Sequence, residues 1–196
     1  MADALGDPPR RFGSLPLEDM SPAQRTIASE IMSGPRKRTQ LTGPFEAMLC
    51  SPPVAEHAQR LGAHVRFESV IPAQLNEMAI LMVARKWTAQ FEWHAHRRLA
   101  LLAGNDDTIV DAIAEGRRPA LQPNTDVEAI YEFAEQLLAT GGVTDEKFDA
   151  VARRWGKQGV IDLIAVVGYY TLVSFVLNVD RYPIPVGERG LEPLQP

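Results

Sequence analysis

A single cysteine, Cys50, is all the thiol this chain carries. That excludes an internal disulfide framework and any paired CxxC redox device. Positive charge is also scarce. Lys and Arg number 20 against 25 Asp and Glu, a net charge of −5 with His neutral. A protein that binds duplex nucleic acid needs a dense cationic face to displace phosphate counterions. The longest basic run, Arg36-Lys37-Arg38, is too short for one, and it reads as a solvated helix end beside the negative pole of the dipole. No nucleic-acid partner is expected. The opening MADALGDPPRRFGSLP has no apolar stretch of the signal-peptide kind, so a cytoplasmic location is expected. Long apolar runs are missing except for Leu163 to Leu177 (LIAVVGYYTLVSFVL). That run is roughly five residues short of the ~20 needed to cross a bilayer. Asp162 and Asn178 bracket it, and it reads as a helix buried in protein rather than in a membrane. Sustained period-two alternation, fixed-period repeats and low-complexity tracts are absent as well.

What remains is helical punctuation. At 45% hydrophobic and 23% charged, 196 residues suit one globular domain with tails. Residues 1–20 carry Gly, Pro and Arg without a period and are expected to form a mobile arm. Ser21-Pro22 looks like an N-cap with proline at the first helical position, and Gly34-Pro35 stops that helix. Thr42-Gly43-Pro44 restarts the chain, Phe45 to Leu49 is a short helical piece, and Ser51-Pro52 opens another helix. The helix PAQLNEMAILMVARKW is apolar almost all round. Thr88 breaks the register, FEWHAHRRLALLAG follows, and Gly104 occupies a C′ position. Asn105-Asp106-Asp107 caps a shorter helix. Asp126 to Ala139 is amphipathic and ends at Gly141-Gly142. A further helix reaches about Trp155, and a long buried one runs from Gln158 to Val179. The tail from Tyr182 is rich in Pro and Gly and is expected to be extended. The fold class expected is therefore all-α, with about eight helices packed in a domain spanning 21–181, a flexible arm at 1–20 and an extended tail at 182–196.

Chemistry concentrates between Glu77 and His96. On a helix, Glu92 and His96 are i and i+4 neighbours on one face. A carboxylate there can hold the imidazole by one nitrogen, fix its tautomer and raise its basicity, which is half of an acid–base device. Glu77 sits in an apolar helix, where a carboxylate must be paired or protonated unless the helix has a wet edge. His94 lies two residues from His96, so the two point to different faces, and no metal site is expected of them. His57 and His64 read as surface residues. Trp87, Phe91 and Trp93 read as core or as the wall of an apolar pocket. Cys50 has no adjacent activating base and reads as an inert thiol.

The run EMAILMVARKWTAQFEWHAHRRLA resembles the central motif of the carboxymuconolactone decarboxylase / alkylhydroperoxidase-D-like superfamily. In the peroxidase branch of that family a Glu is followed by a CxxC pair and then by a His four residues past the second Cys. Laid on this sequence without a gap, the Glu is Glu77 and the His is His96, while the cysteine positions fall on Ala89 and Glu92. The decarboxylase branch carries a Glu four residues before the His, and Glu92-Trp93-His94-Ala95-His96 is similar to that EW-x-x-H variant. TGPFEAML, LGAHVRFES and GYYTLVSFVLN extend the resemblance over roughly 20–185. The resemblance implies an AhpD-like helical bundle that assembles as a homo-oligomer, a trimer, dimer or hexamer. It implies a lyase without cofactor or metal that uses Glu92, His96 and Glu77 as acid–base residues. The substrate class implied is a small carboxylated lactone or keto acid. Arg85 and Arg97 are candidates for holding that substrate. Two other readings are carried alongside: a thiol peroxidase, which lacks its cysteines here, and a non-enzymatic oligomer that binds a small ligand.

Overall fold

A computed structural model describes residues 9–37, 39–188 and 190–193. Among these no residue lies in a strand, and the architecture is all-helical. A 3-10 turn at Leu17–Asp19 precedes α1 (Pro22–Ser33), α2 (Pro44–Met48), α3 (Pro52–Phe67), α4 (Ala73–Lys86), α5 (Gln90–Leu102), α6 (Asp107–Ala114), α7 (Asp126–Thr140) and α8 (Asp145–Asp180).

The helix ends follow the local chemistry. Ser21 forms a full capping box with Gln24, and Pro22 opens α1. Asp106 caps α6 through the Thr108 amide, and Thr125 caps α7 through that of Glu128. Gly141 ends α7 at a φ of 78°. The centre of the molecule is α4, whose residues from Leu75 to Arg85 are all buried. It packs against α3, α5, α6, α7 and α8. A helix that is apolar on every side needs such surroundings.

Two segments expected as separate helices form one long element, α8, with the joint preserved as a kink. Gly156 sits there at φ 67° and ψ −178°. Only glycine occupies that region without strain. A Cβ at this point would meet nothing within 4 Å. Gly156→Ala is therefore expected to lose about 1–3 kcal/mol through backbone strain alone. The denaturant midpoint should fall with its slope unchanged, and an unmoved midpoint would refute this.

The length of α8 corrects the argument that its apolar run is too short for a bilayer. By length and composition the 36-residue helix could cross one, although 56% of its most apolar window is buried inside the protein. Its outer face carries a stripe of exposed apolar residues: Ile161, Ile164, Leu172, Phe175 and Val179.

Where described, both terminal segments lie on the body; residues 189 and 194–196 of the expected tail are outside the described residues. Residues 1–8 of the expected arm are outside the described residues. Within 9–20, Arg10 places Nη1 2.7 Å from Glu46 and Nη2 2.7 Å from Asp180, and Met20 is buried. The Phe12 amide donates to Asp180 Oδ1 at 2.9 Å. The tail folds back along its own chain. Tyr182 stacks edge-on against Phe91, Leu191 is buried, and its backbone exchanges hydrogen bonds with the Gln90 amide at 2.6 and 2.9 Å.

Candidate active site

The turn between α4 and α5 builds the site. Thr88 adopts φ 46°, and the Ala89 amide reaches back to the Ala84 carbonyl at 2.8 Å. That turn lays α5 antiparallel on α4, so a residue one turn and a half into α5 faces one in the first half of α4. The pair brought together is His96 and Glu77. His96 Nδ1 lies 2.6 Å from Glu77 Oε2, and His96 Nε2 lies 2.9 Å from Glu92 Oε1. All three side chains are buried, with relative exposures of 7% for Glu77, 4% for Glu92 and 5% for His96.

An ionised carboxylate only accepts hydrogen bonds, and a neutral imidazole has only one N–H to give. A ring that faces a carboxylate on each nitrogen therefore donates from both and is the imidazolium. Burial alone would push the His96 pKa down. The charges of Glu92 and Glu77 outweigh it and raise the pKa from 6.5 to about 9. Arg66, from α3, approaches the other oxygen of Glu77 at 3.6 Å. Two carboxylates, one imidazolium and one guanidinium thus sum to zero charge.

In front of His96 and Glu92 lies a cavity of about 40 Å³, walled by Arg36, Arg66, Phe91, Tyr169 and Tyr170 among others. Glu77 is not part of that wall and sits behind the ring. Tyr170 meets the imidazole edge-on, with ring centroids 5.1 Å apart, and packs in turn on Tyr169. Burial, reinforced by the Glu92 charge, holds the Tyr170 phenol well above its ordinary pKa, so it remains a donor. Tyr169 fits only because α3 carries glycine opposite it. A Cβ on Gly62 would lie 2.2 Å from Tyr169 Cζ and 2.3 Å from its hydroxyl oxygen. Gly62→Ala is expected to destabilise by about 1–3 kcal/mol through overpacking and to push Tyr169 aside. Full stability with an unperturbed tyrosine environment in near-ultraviolet circular dichroism would overturn that.

The sequence candidates separate cleanly. Glu77, Glu92 and His96 converge, and Phe91 lines the cavity. Arg85 and Arg97 do not reach it. Arg85 is buried on the other side of α4, where it donates to the carbonyls of Glu192 and Ala114 at 2.7 and 3.3 Å. Arg97 points to the surface and pairs with Asp111. His94 faces Glu188 in the tail, and Trp87 stacks on Phe175. Cys50 is exposed and takes no part in the cavity wall. Ala89 is fully buried at the start of α5. Four residues were missed: Arg36, Arg66, Tyr169 and Tyr170. Arg36 and Arg66 lie far from the motif in sequence, and the tyrosines sit in an apolar run that reads as core. The available hint was the resemblance, since Arg66 lies in LGAHVRFES and Tyr169 and Tyr170 lie in GYYTLVSFVLN. Among the described residues no group of three or more His, Cys, Asp or Glu is arranged to hold a metal ion. Compared with known proteins, the chain matches no family model and no curated protein.

Proposed function

We propose that the chain is a cofactor-free acid–base catalyst of the carboxymuconolactone decarboxylase kind, acting on a small carboxylated lactone or keto acid. The observation that carries this reading is the His96 ring held between two buried carboxylates, one of which faces a cavity while the other stands behind. Glu77 orients the ring, as the third member of a nucleophile or base relay does. His96 and Glu92 together offer a proton and a place to return it. In decarboxylation the bond to the departing carboxylate breaks and releases CO₂, leaving the electron pair as a dienolate. A proton held between Glu92 and His96 then closes the new C–H bond. Arg36 and Arg66, rather than Arg85 and Arg97, line this cavity, which supports them as the cations for an enolate oxygen.

The thiol-peroxidase alternative has less to support it. Its two cysteine positions hold Ala89 and Glu92, and Cys50 is outside the cavity. The deciding experiment is a screen of the full chain against lactone acids and β-keto acids, following CO₂ release and deuterium uptake from heavy water. Turnover of at least one compound, abolished in His96→Ala, is expected. Retention of turnover in that variant, or inertness toward the whole set, would overturn the reading.

The same reading includes a homo-oligomer. The exposed residues Ile161, Ile164, Leu172, Phe175 and Val179 recur at helical spacing along one face of α8, and contiguous apolar stripes of that length are uncommon on monomers. Light scattering that returned a single 21.6 kDa species at micromolar concentration would refute it.

A further inference from the structure

We propose that the cavity in front of His96 is a carboxylate-binding subsite, with Arg36 and Arg66 as its cations and the Tyr170 hydroxyl as a neutral donor. This deepens the catalytic reading above, but it concerns binding and is measured without turnover.

Charge gives the first argument. Glu77, Glu92, His96 and Arg66 already cancel, so Arg36 is a surplus positive charge on the wall of a small, half-open cavity. It comes from the segment after α1, stacks over the Phe45 ring at 5.1 Å and donates to the Gln59 carbonyl at 2.8 Å. It also hydrogen-bonds Tyr169. A guanidinium has five N–H donors in a rigid fork, so these contacts fix it in place and leave donors over. Charged hydrogen bonds strengthen where water is scarce.

Tyr170 gives the second argument. Its side chain is 4% exposed and lines the cavity. The phenol stays protonated, so it has an O–H to donate to a guest oxygen there.

Size gives the third. About 40 Å³ holds roughly three waters, which suits the head of a carboxylic acid and not its body. Phe91 lines both this cavity and a neighbouring outer cleft of about 630 Å³, which is where the body of such an acid would lie. That cleft falls in the range of small-molecule sites.

The test uses the full chain and acetate as the probe, with sodium acetate exchanged for sodium chloride at constant ionic strength. The readout is the His96 ring resonances by NMR, and acetamide is the uncharged control of the same shape. Saturable shifts with acetate and none with acetamide are expected. Arg36→Gln should weaken acetate binding by about tenfold or more, and Tyr170→Phe by a smaller factor. Should Arg36→Gln fail to fold, Arg36→Lys takes its place and is expected to bind more weakly than wild type. Absence of a saturable shift, equal response to acetamide, or wild-type affinity in every folded variant overturns the subsite. Acetate binding without turnover of any lactone or keto acid would overturn only the catalytic reading. Turnover by a protein blind to acetate would overturn only the subsite.

Discussion

Replacing His96 by alanine is expected to lower the unfolding free energy by about 3–5 kcal/mol, the cost of removing one partner from a buried ionic cluster. Among the described residues the ring is the only group paired with both carboxylates, at 2.6 and 2.9 Å. Without it Glu92 loses its ion-pair partner, and Glu77 keeps only Arg66 at 3.6 Å. A second change should recover part of the loss. Glu92→Leu in the His96→Ala background removes the stranded charge and fills space, so the double variant should be more stable than His96→Ala alone. The effect carries a pH signature. His96 holds its proton more tightly in the folded protein, with a pKa of about 9 against an ordinary 6.5. Its stabilising contribution is fully present below 6.5 and is lost as pH rises through 9. The gap between wild type and His96→Ala should therefore be wide below the lower value and narrow above the upper one. Denaturant unfolding of both proteins at either end checks this, and a gap independent of pH would sink it.

Glu92→Gln is expected to lower the His96 pKa and to cut turnover by about 10²–10⁴, the usual worth of a positioned acid or base. After burial, which acts the other way, the Glu92 charge is the largest influence on the ring. The amide keeps the shape and loses the charge. Glu77 still holds Nδ1, so the ring should stay in place while its proton becomes easier to remove. NMR titration of the His96 ring in both proteins reads the first effect directly. A solvent-exposed Glu–His pair would titrate near 6.5 in each and show no difference, and that result would leave a merely structural pair. A variant with the pKa lowered but the rate intact would separate the electrostatics from the catalysis.

The parts of this arrangement that could be read from sequence are those written in local spacing. Glu92 and His96 share a helical face because they are four residues apart. Glu77 stood out as a carboxylate in an apolar helix, and Thr88 marked the turn that sets α5 against α4. The all-helical fold followed from caps such as Ser21, Thr125 and Gly141, which act within a few residues of chain. What stayed hidden depends on tertiary contact. Arg85 and Arg97 were nominated because they are close to the motif along the chain, yet a helix turns neighbours away from one another, and both face elsewhere. Arg36 and Arg66 join the cavity beside His96 only through the packing of α3 and the segment after α1. Tyr169 and Tyr170 are indistinguishable by pattern from core residues, and only the missing side chain at Gly62 makes room for one of them. Arg10 anchors a segment that has no period at all, through a buried acid more than a hundred residues away.

The cavity wall draws on Arg36, Arg66, Glu92, His96 and, from the last helix, Tyr169, Tyr170 and Val173. During synthesis the α4–α5 hairpin therefore exists well before its chemistry does. At roughly 5–20 residues per second, the imidazole and its two carboxylates are made several seconds before α8 arrives to cover them. Until then the trio stands in water, where ion pairs of this kind are weak and a histidine titrates near neutrality. The final proton affinity of His96 is thus set late, when the carboxy-terminal third of the chain closes over a pair that was assembled first. Any chain released before α8 is complete would carry the two carboxylates that favour the charged ring, but neither the full burial that opposes them nor the finished cavity wall.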